Sequence, residues 1–146
     1  MLYSQDGITY DSETGVFIGK RGNILSSRNI TFEGKQVLAH RLAYFLVTGN
    51  WPTHYIDHID QDKTNNKWSN LRHATPSDNN CNTGLRKDNK SGVKGVCWKA
   101  SRSRWLVQVS KDRKIHHVGY YKCLQEATQA AVVARRRLHG AYACNV

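Results

Sequence analysis

The positive charge of this chain is confined to its C-terminal part, and this partition is the strongest constraint on how the chain folds. The 146 residues include 22 Lys or Arg and 11 Asp or Glu, which gives a net charge of +11. Residues 1–85 contain eight cationic and eight acidic residues, so all of the net charge lies in residues 86–146. A chain of this length suits one ordinary domain or two small ones. The uneven charge favours two.

A short polar segment separates the two regions. Residues 86–92 are charged or polar and include no apolar side chain, which is typical of a linker. We therefore predict one domain at residues 1–85, this linker, and a second domain at residues 93–146. A basic domain with aromatic residues among its cations is typical of nucleic-acid binding. The alternative is a solvated basic surface that aids solubility.

The first domain is predicted to contain short strands, a helix, and then a strand–loop–helix unit. Apolar residues around short turns predict strands at 8–10, 16–18, 30–32, 36–39 and 55–59. Residues 40–49 have the apolar spacing of a buried helix. A polar loop covers residues 60–67, and Thr75-Pro76 is a strong helix start. This order is that of a ββα unit with a metal ion between strand and helix.

Residues Asp57-His58-Ile59-Asp60 are the most informative stretch, read together with Asn66, Asn70 and Asn79. Hydrolysis of a phosphodiester with one metal ion needs a neutral imidazole to activate water, oxygen ligands for a hard cation, and an amide that fixes the imidazole. The strand–loop–helix order can bring Asp57, His58 and Asn79 around one point. The alternative is a polar surface loop, because Asp and Asn are ordinary turn residues.

The second domain is predicted to be a three-stranded antiparallel sheet packed on one helix. Strands are predicted at 95–99, 104–109 and 114–120, and a helix at 124–138. Apolar residues recur on one face of that helix at steps of three and four: Leu124, Ala127, Ala131, Ala134 and Leu138. The predicted fold class of the whole chain is α+β.

The four cysteines do not form a zinc motif, since none stands in a C-x-x-C pair. We predict free thiols in a reducing cytoplasm, with Cys97 and Cys123 packed as small hydrophobic residues. No apolar run approaches the ~20 residues of a membrane span. We therefore expect a cytoplasmic protein with no membrane partner.

Residues 40–82 resemble the HNH endonuclease family, in the branch common among phage homing endonucleases. The resemblance rests on His40-Arg41-Leu42-Ala43, Gly49-Asn50-Trp51-Pro52, Ile56-Asp57-His58-Ile59-Asp60, Asn65-Asn66, Ser69-Asn70-Leu71-Arg72 and Ala74-Thr75-Pro76-Ser77-Asp78-Asn79. It implies a site-specific, metal-dependent DNA endonuclease of the homing type. Whether it nicks one strand or cuts both is left open.

The family's roles carry over to matching positions. The resemblance implies that His58 is the general base, that Asn70 orients this histidine or its loop, and that Asp57 and Asn79 are metal ligands. Asn80 is the neighbouring candidate ligand if the helix is shifted by one. Oxygen ligands suit Mg²⁺ or Mn²⁺ better than zinc, with one ion per active site. Asp60 and Asn66 are expected to shape the loop, and His40 and His73 to be structural or to contact phosphate.

Residues 91–146 resemble the plant APETALA2-type DNA-binding domain. The resemblance rests on Lys94-Gly95-Val96, Trp98, Trp105, Val107, Val109, Gly119-Tyr120-Tyr121, Glu126-Ala127, Ala130-Ala131, Leu138-His139-Gly140, Ala143 and Asn145. It implies a sheet that binds double-stranded DNA through Lys94, Lys99, Arg102, Arg104, Gln108 and His117. The chain departs from the plant pattern at Cys97 and Ile115, where arginines are usual, so no base preference follows.

Two other functions stay open at this point. One is a DNA-binding regulator with an inactive nuclease domain, and the other is an RNA-binding module. One HNH site per chain predicts a nick unless two chains act together, so the protein is expected to be a monomer or a weak dimer on DNA.

Overall fold

The computed structural model describes residues 1–144. The chain forms two compact units, Met1–Thr75 and Pro76–Val146, so the predicted linker at residues 86–92 lies within the second. Asn145, one of the residues that carry the APETALA2 resemblance, lies outside the described part of the chain. No helix formed by residues 1–144 has the length and apolar character needed to cross a bilayer.

The first unit contains three antiparallel sheets and one α-helix. A four-stranded sheet contains β1 (Leu2–Gln5), β2 (Ile8–Asp11), β3 (Phe17–Ile18) and β4 (Ile24–Leu25) in that order. Two hairpins pair β5 (Asn29–Phe32) with β6 (Lys35–Leu38), and β7 (Tyr55–His58) with β8 (Leu71–Ala74). Helix α1 (Ala39–Thr48) follows β6 directly.

One apolar core joins the N-terminal sheet, the β5–β6 hairpin and α1. Side chains alternate across a strand, so β2 buries Ile8 and Tyr10, and β5 buries Ile30 and Phe32. Leu42 of α1 is fully buried among them. The helix ends at Gly49, which adopts the left-handed conformation (φ 75°) and donates its N–H to the Phe45 carbonyl.

The second unit, as far as residue 144, contains a three-stranded sheet and two α-helices. Helix α2 (Pro76–Cys81) is followed by β9 (Val96–Lys99), β10 (Arg104–Lys111), β11 (Lys114–Tyr121) and α3 (Leu124–His139). The sheet is antiparallel with β10 at its centre. Val96 and Val107 pack against Ala127 and Ala131, so α3 lies on one face of this sheet.

The predicted α+β class is confirmed, and so is the three-stranded antiparallel sheet packed on one helix. The metal-binding part of the ββα prediction stays a prediction. Three strands were not predicted: β1, β4 and β8. The prediction that Cys97 and Cys123 are packed as hydrophobic residues is wrong, because both are exposed. The Cys123 sulfur instead accepts the Glu126 N–H at the start of α3.

The N-terminal sheet holds the polar loop between β7 and β8. The buried Tyr10 hydroxyl donates to the Asn66 carbonyl at 2.6 Å, and the Trp68 N–H donates to the Ser12 carbonyl at 2.9 Å. Gly15 approaches the loop so closely that a Cβ atom there would lie 2.5 Å from the Lys67 nitrogen. A side chain at position 15 would therefore push the sheet and loop apart.

We expect Tyr10→Phe to lower the free energy of unfolding by about 1–3 kcal/mol, because the buried Asn66 carbonyl loses its donor. Tyr3 is the matched control: it pairs with Tyr10 across β1 and β2, and its hydroxyl contacts the Met1 sulfur instead. Urea denaturation of the full chain measures both changes. Equal losses for Tyr10→Phe and Tyr3→Phe would contradict the assigned contact.

Candidate functional site

The β7–β8 hairpin places Asp57 and His58 at the end of a strand. Asp57 lies opposite Arg72, and His58 lies opposite Leu71. One carboxylate oxygen of Asp57, Oδ2, accepts hydrogen bonds from Arg72 Nε at 3.0 Å and Nη2 at 2.9 Å. The Asp57 side chain is 8% exposed and that of Arg72 is 16% exposed. The pair is thus a shielded, charge-assisted contact that fixes the register of the hairpin.

The imidazole of His58 is held between two side chains. Its Nε2 lies 3.2 Å from Asn66 Oδ1. The ring of His40, from α1, meets it edge to face, with 5.0 Å between the ring centroids and 78° between the planes. His58 and Asn66 are both buried. The position and direction of this ring are therefore set by neighbours from α1 and from the β7–β8 loop.

The amide of Asn70 organises the loop that follows His58. Its oxygen accepts the Asp60 N–H at 3.1 Å, and its nitrogen donates to Asp60 Oδ1 and to the Asn65 carbonyl, both at 2.8 Å. Burial acts to raise the pKa of Asp60, but hydrogen bonds from Asn65, Asn70 and the Asp62 backbone outweigh it and hold that pKa below its ordinary value. Asp60 is therefore an ionised acceptor within the loop.

His40 stays neutral at ordinary pH. Burial lowers its pKa from 6.5 to about 4, and the nearby charges of His58, Arg41 and Arg28 act in the same direction. His73, the other histidine expected to be structural, is exposed and packs edge to face on Tyr44, with ring centroids 4.7 Å apart.

Asn79 lies on α2, in the second unit. The helix is tied to the β10–β11 turn of that unit: Lys111 Nζ lies 2.6 Å from Asp78 Oδ1, and the Asp112 N–H donates to Ser77 Oγ at 3.2 Å. The 20% and 17% exposure of the Lys111 and Asp78 side chains marks this ion pair as partly shielded. The sharing of one ion by Asp57 and Asn79 stays a prediction.

Four of the six residues predicted to bind DNA share one face of the second unit's sheet. Trp105 and Val107 face α3, so the alternate residues of β10 point the opposite way. Arg104 pairs with Lys99 of β9, and Gln108 pairs with His117 of β11. We call the sheet surface that carries these four side chains the outer face.

The other two predicted DNA-binding residues lie in different places. The Arg102 guanidinium lies 4.7 Å from the centroid of the Tyr120 ring, and Tyr120 pairs with Leu106, whose side chain points to the outer face. The Lys94 ammonium instead donates to the carbonyls of Cys81 and Thr83. Burial lowers the pKa of Lys94. The structure therefore brings Arg102 to the outer face and holds Lys94 against the segment after α2.

Comparison with known proteins supplies the family. Residues 37–81 match the HNH endonuclease family, and residues 91–141 match the AP2 domain. The chain carries an HNH endonuclease domain and an AP2 domain. The HNH match includes α2, which belongs to the second unit by its contacts.

Two viral proteins are similar to the chain. Protein 3.8 of Escherichia phage T7 is 38% identical over 90 residues, which cover 62% of this chain and 74% of that protein. An uncharacterized HNH endonuclease of Acanthamoeba polyphaga mimivirus is 32% identical over 129 residues, which cover 87% of this chain and 64% of the relative. No solved structure matches the chain.

The two domain families give the chain a role in DNA cleavage or DNA binding, with DNA as its partner. HNH nucleases generally depend on a divalent metal ion. Among residues 1–144, no group of three or more His, Cys, Asp and Glu side chains could hold a metal ion. The donors present still fit a hard cation, because Mg²⁺ is commonly held by one or two carboxylates, with waters and substrate phosphate completing its shell. Asp57 supplies such a carboxylate.

Sequence reasoning missed three contacts of the HNH site: the Arg72 pair with Asp57, the Asn66 contact with His58, and the packing of His40 on His58. The first had a signal in the sequence, since Arg72 is the cation of the Ser69-Asn70-Leu71-Arg72 motif and Asp57 is a carboxylate of a neighbouring motif. The other two depend on the path of the loop and on how α1 packs against the hairpin. The spacing of residues in the sequence predicts neither of them.

We expect His40 to make the fold sensitive to acid. Its pKa is about 4 when folded and 6.5 when unfolded, so between these values the unfolded state binds more protons and stability falls as pH falls. His40→Gln should flatten this part of the profile, whereas His54→Gln, at an exposed histidine, should not. Urea denaturation at several pH values tests this, and identical profiles for the two variants would contradict it.

Proposed function

We propose that this protein is a metal-dependent DNA endonuclease that hydrolyses phosphodiesters with His58 as general base. The observation that carries the proposal is the arrangement of His58: a buried imidazole, one residue after the Asp57 carboxylate in the chain, held by Asn66 and packed on a neutral His40. A general base must be oriented and must accept a proton. The outer face of the AP2 sheet adds a DNA-binding surface.

In the proposed reaction His58 takes a proton from the water that attacks phosphorus, and Asp57 provides the carboxylate for the cation. Asn79 is proposed as the second ligand, and Asn70 keeps the loop after His58 in place. A bound Mg²⁺ or Mn²⁺ supplies positive charge against the phosphate oxygens and the leaving oxygen. Arg72 shares the Asp57 carboxylate and limits its movement.

The AP2 domain is proposed to supply affinity and register on duplex DNA. Lys99, Arg102 and Arg104 lie at one end of the outer face, where they suit phosphate contacts. Gln108 and His117 lie further along it, and their side chains can hydrogen bond to base edges. More specifically, we propose site-specific cleavage of the homing type. This part of the proposal rests on the resemblance of residues 40–82 to phage homing endonucleases.

A second candidate is a DNA-binding regulator whose HNH domain is inactive. One observation favours it: the Arg72 guanidinium already binds the Asp57 oxygen with two hydrogen bonds, so a cation must share that carboxylate or displace the guanidinium. Nicking of supercoiled plasmid that requires Mg²⁺ or Mn²⁺ separates the two candidates, because only the nuclease converts it to open circles.

We expect His58→Ala to lower kcat for plasmid nicking by about 10²–10⁴-fold, the usual contribution of a general base. The Kd for duplex DNA should stay unchanged, because binding is assigned to the outer face. His54→Ala is the matched control, since His54 is exposed and contacts Thr53. Cleavage by His58→Ala at the wild-type rate would refute the assignment of the base.

The salt dependence of DNA binding tests the outer face. We expect Arg104→Ala to weaken binding and to reduce the slope of log Kd against log salt concentration by about 0.9, the value for one phosphate contact. Arg136→Ala removes the same charge from an exposed position on α3 and should leave the slope unchanged. Filter binding or fluorescence anisotropy across salt concentrations gives both slopes. Equal changes of slope in the two variants would mean that DNA binding depends on the net charge of the protein and not on the outer face.

A further inference from the structure

Ile115 is a large aliphatic residue that projects from the outer face into solvent. It pairs with Ser110 across β10 and β11, two residues along from the pair formed by Gln108 and His117. The irregularity in this pairing lies between Val107 and Gln108, so side chains alternate regularly from there to Ile115. Ile115 therefore shares a face with Gln108 and His117, and it is 68% exposed.

The surface around Ile115 is cationic at both ends. Lys99, Arg102 and Arg104 lie at one end of the outer face, and the exposed Arg113 lies in the β10–β11 turn at the other end. Such a surface complements the phosphates of a duplex and repels a second copy of itself. Ile115 has no hydrogen-bond donor, so it cannot bind phosphate. Its position suits a contact with the bases between the two strands of phosphates.

We infer that Ile115 contacts the 5-methyl group of a thymine and so contributes to the choice of DNA sequence. In the major groove the base edges present donors, acceptors and one kind of apolar group, which is the thymine methyl. An exposed aliphatic side chain beside two hydrogen-bonding side chains matches that mixture. Cytosine methylated at C5 presents the same group. This inference rests on the proposed contact of the outer face with DNA.

The spacing of the strand limits where this thymine lies. Two residues of a strand span about 7 Å, which is the rise of about two base pairs. The thymine read by Ile115 should therefore lie within about two base pairs of the base contacted by Gln108 or His117. A variant of Gln108 thus marks the region of the target in which to look for the thymine.

Val133 of α3 is the matched control for Ile115. It is also aliphatic and is 66% exposed. Both residues border the groove between β11 and α3, but Val133 does not belong to the sheet. A partner that docks in this groove, such as a second copy of the chain, would respond to substitution of either residue. A contact with a base on the outer face would respond only to substitution of Ile115.

The first measurement is selection of duplexes from a random-sequence pool by the full chain. EDTA in the buffer removes divalent ions and prevents metal-dependent cleavage. We expect a thymine preference within about two base pairs of the position whose preference changes in Gln108→Ala. Ile115→Ser should lose the preference at that thymine and keep the others. A selected site without such a thymine overturns the inference.

The second measurement removes only the methyl group, by placing deoxyuridine at that thymine. Fluorescence anisotropy should show about fourfold weaker binding by the wild type, the change for one buried methyl-sized group. Ile115→Ser should bind both duplexes equally, whereas Val133→Ser should keep the fourfold difference. Ile115→Val, which stays apolar, should keep most of it. At the same position, 5-methylcytosine should bind the wild type more tightly than cytosine does.

The outcomes separate this inference from the proposed function. Equal binding of the two duplexes by the wild type, or a fourfold difference that persists in Ile115→Ser, overturns the inference. Ile115→Gln keeps the length of the side chain and gives a second test if Ile115→Ser does not fold. Equal losses in Ile115→Ser and Val133→Ser would assign Ile115 to the groove and also overturn it. None of these measurements uses cleavage, so an inactive nuclease would leave the inference intact.

Discussion

The candidate site depends on hydrogen bonds that organise a loop with no apolar side chain. Residues 60–67 are all polar, so the hydrophobic effect cannot fold them. A buried polar group without a partner costs about 1–3 kcal/mol. Because of this penalty, the loop is restricted to conformations that keep the hydrogen bonds of Asn66 and Asn70. Tyr10 joins the loop to an apolar core that is already fixed. The N-terminal sheet thus holds the loop of the candidate site in place, although it contains none of the residues proposed to react.

The charges near His58 are also set by a few specific contacts. Asp57 pairs with Arg72 across the hairpin. The second imidazole, His40, is kept neutral mainly by burial, so it adds bulk beside His58 without adding charge. Breaking a shielded ion pair from one side is costly because it leaves a charge uncompensated. Arg72 therefore serves two opposed purposes: it stabilises the hairpin in the free protein, and it competes for the carboxylate that a cation would use.

Elements with strong periodicity could be predicted from the sequence, and contacts across loops could not. Helix α3 was predicted within one residue because its alanines recur at helical spacing. Strand β8 escaped prediction because Leu71–Ala74 mixes one apolar, two basic and one small residue, with no clear alternation. The residue types of the HNH site were visible, but the partner of His58 was not. Asn66 meets it only because the loop turns back under Tyr10, which lies 56 positions away in sequence.

The net charge of the second unit overstates what is available to DNA. Lys94 is bound to backbone carbonyls, and Lys111 is paired with Asp78. Arg135, only 2% exposed, donates to the Lys94 carbonyl. All three cations stabilise the unit's own fold, and Lys94 and Lys111 also hold α2, the helix on which the HNH family match ends. Because log affinity falls with salt in proportion to the phosphates neutralised, the salt slope should count the cations of the outer face and not the formal charge. A basic sequence indicates a nucleic-acid partner, but only burial and pairing show which cations can reach it.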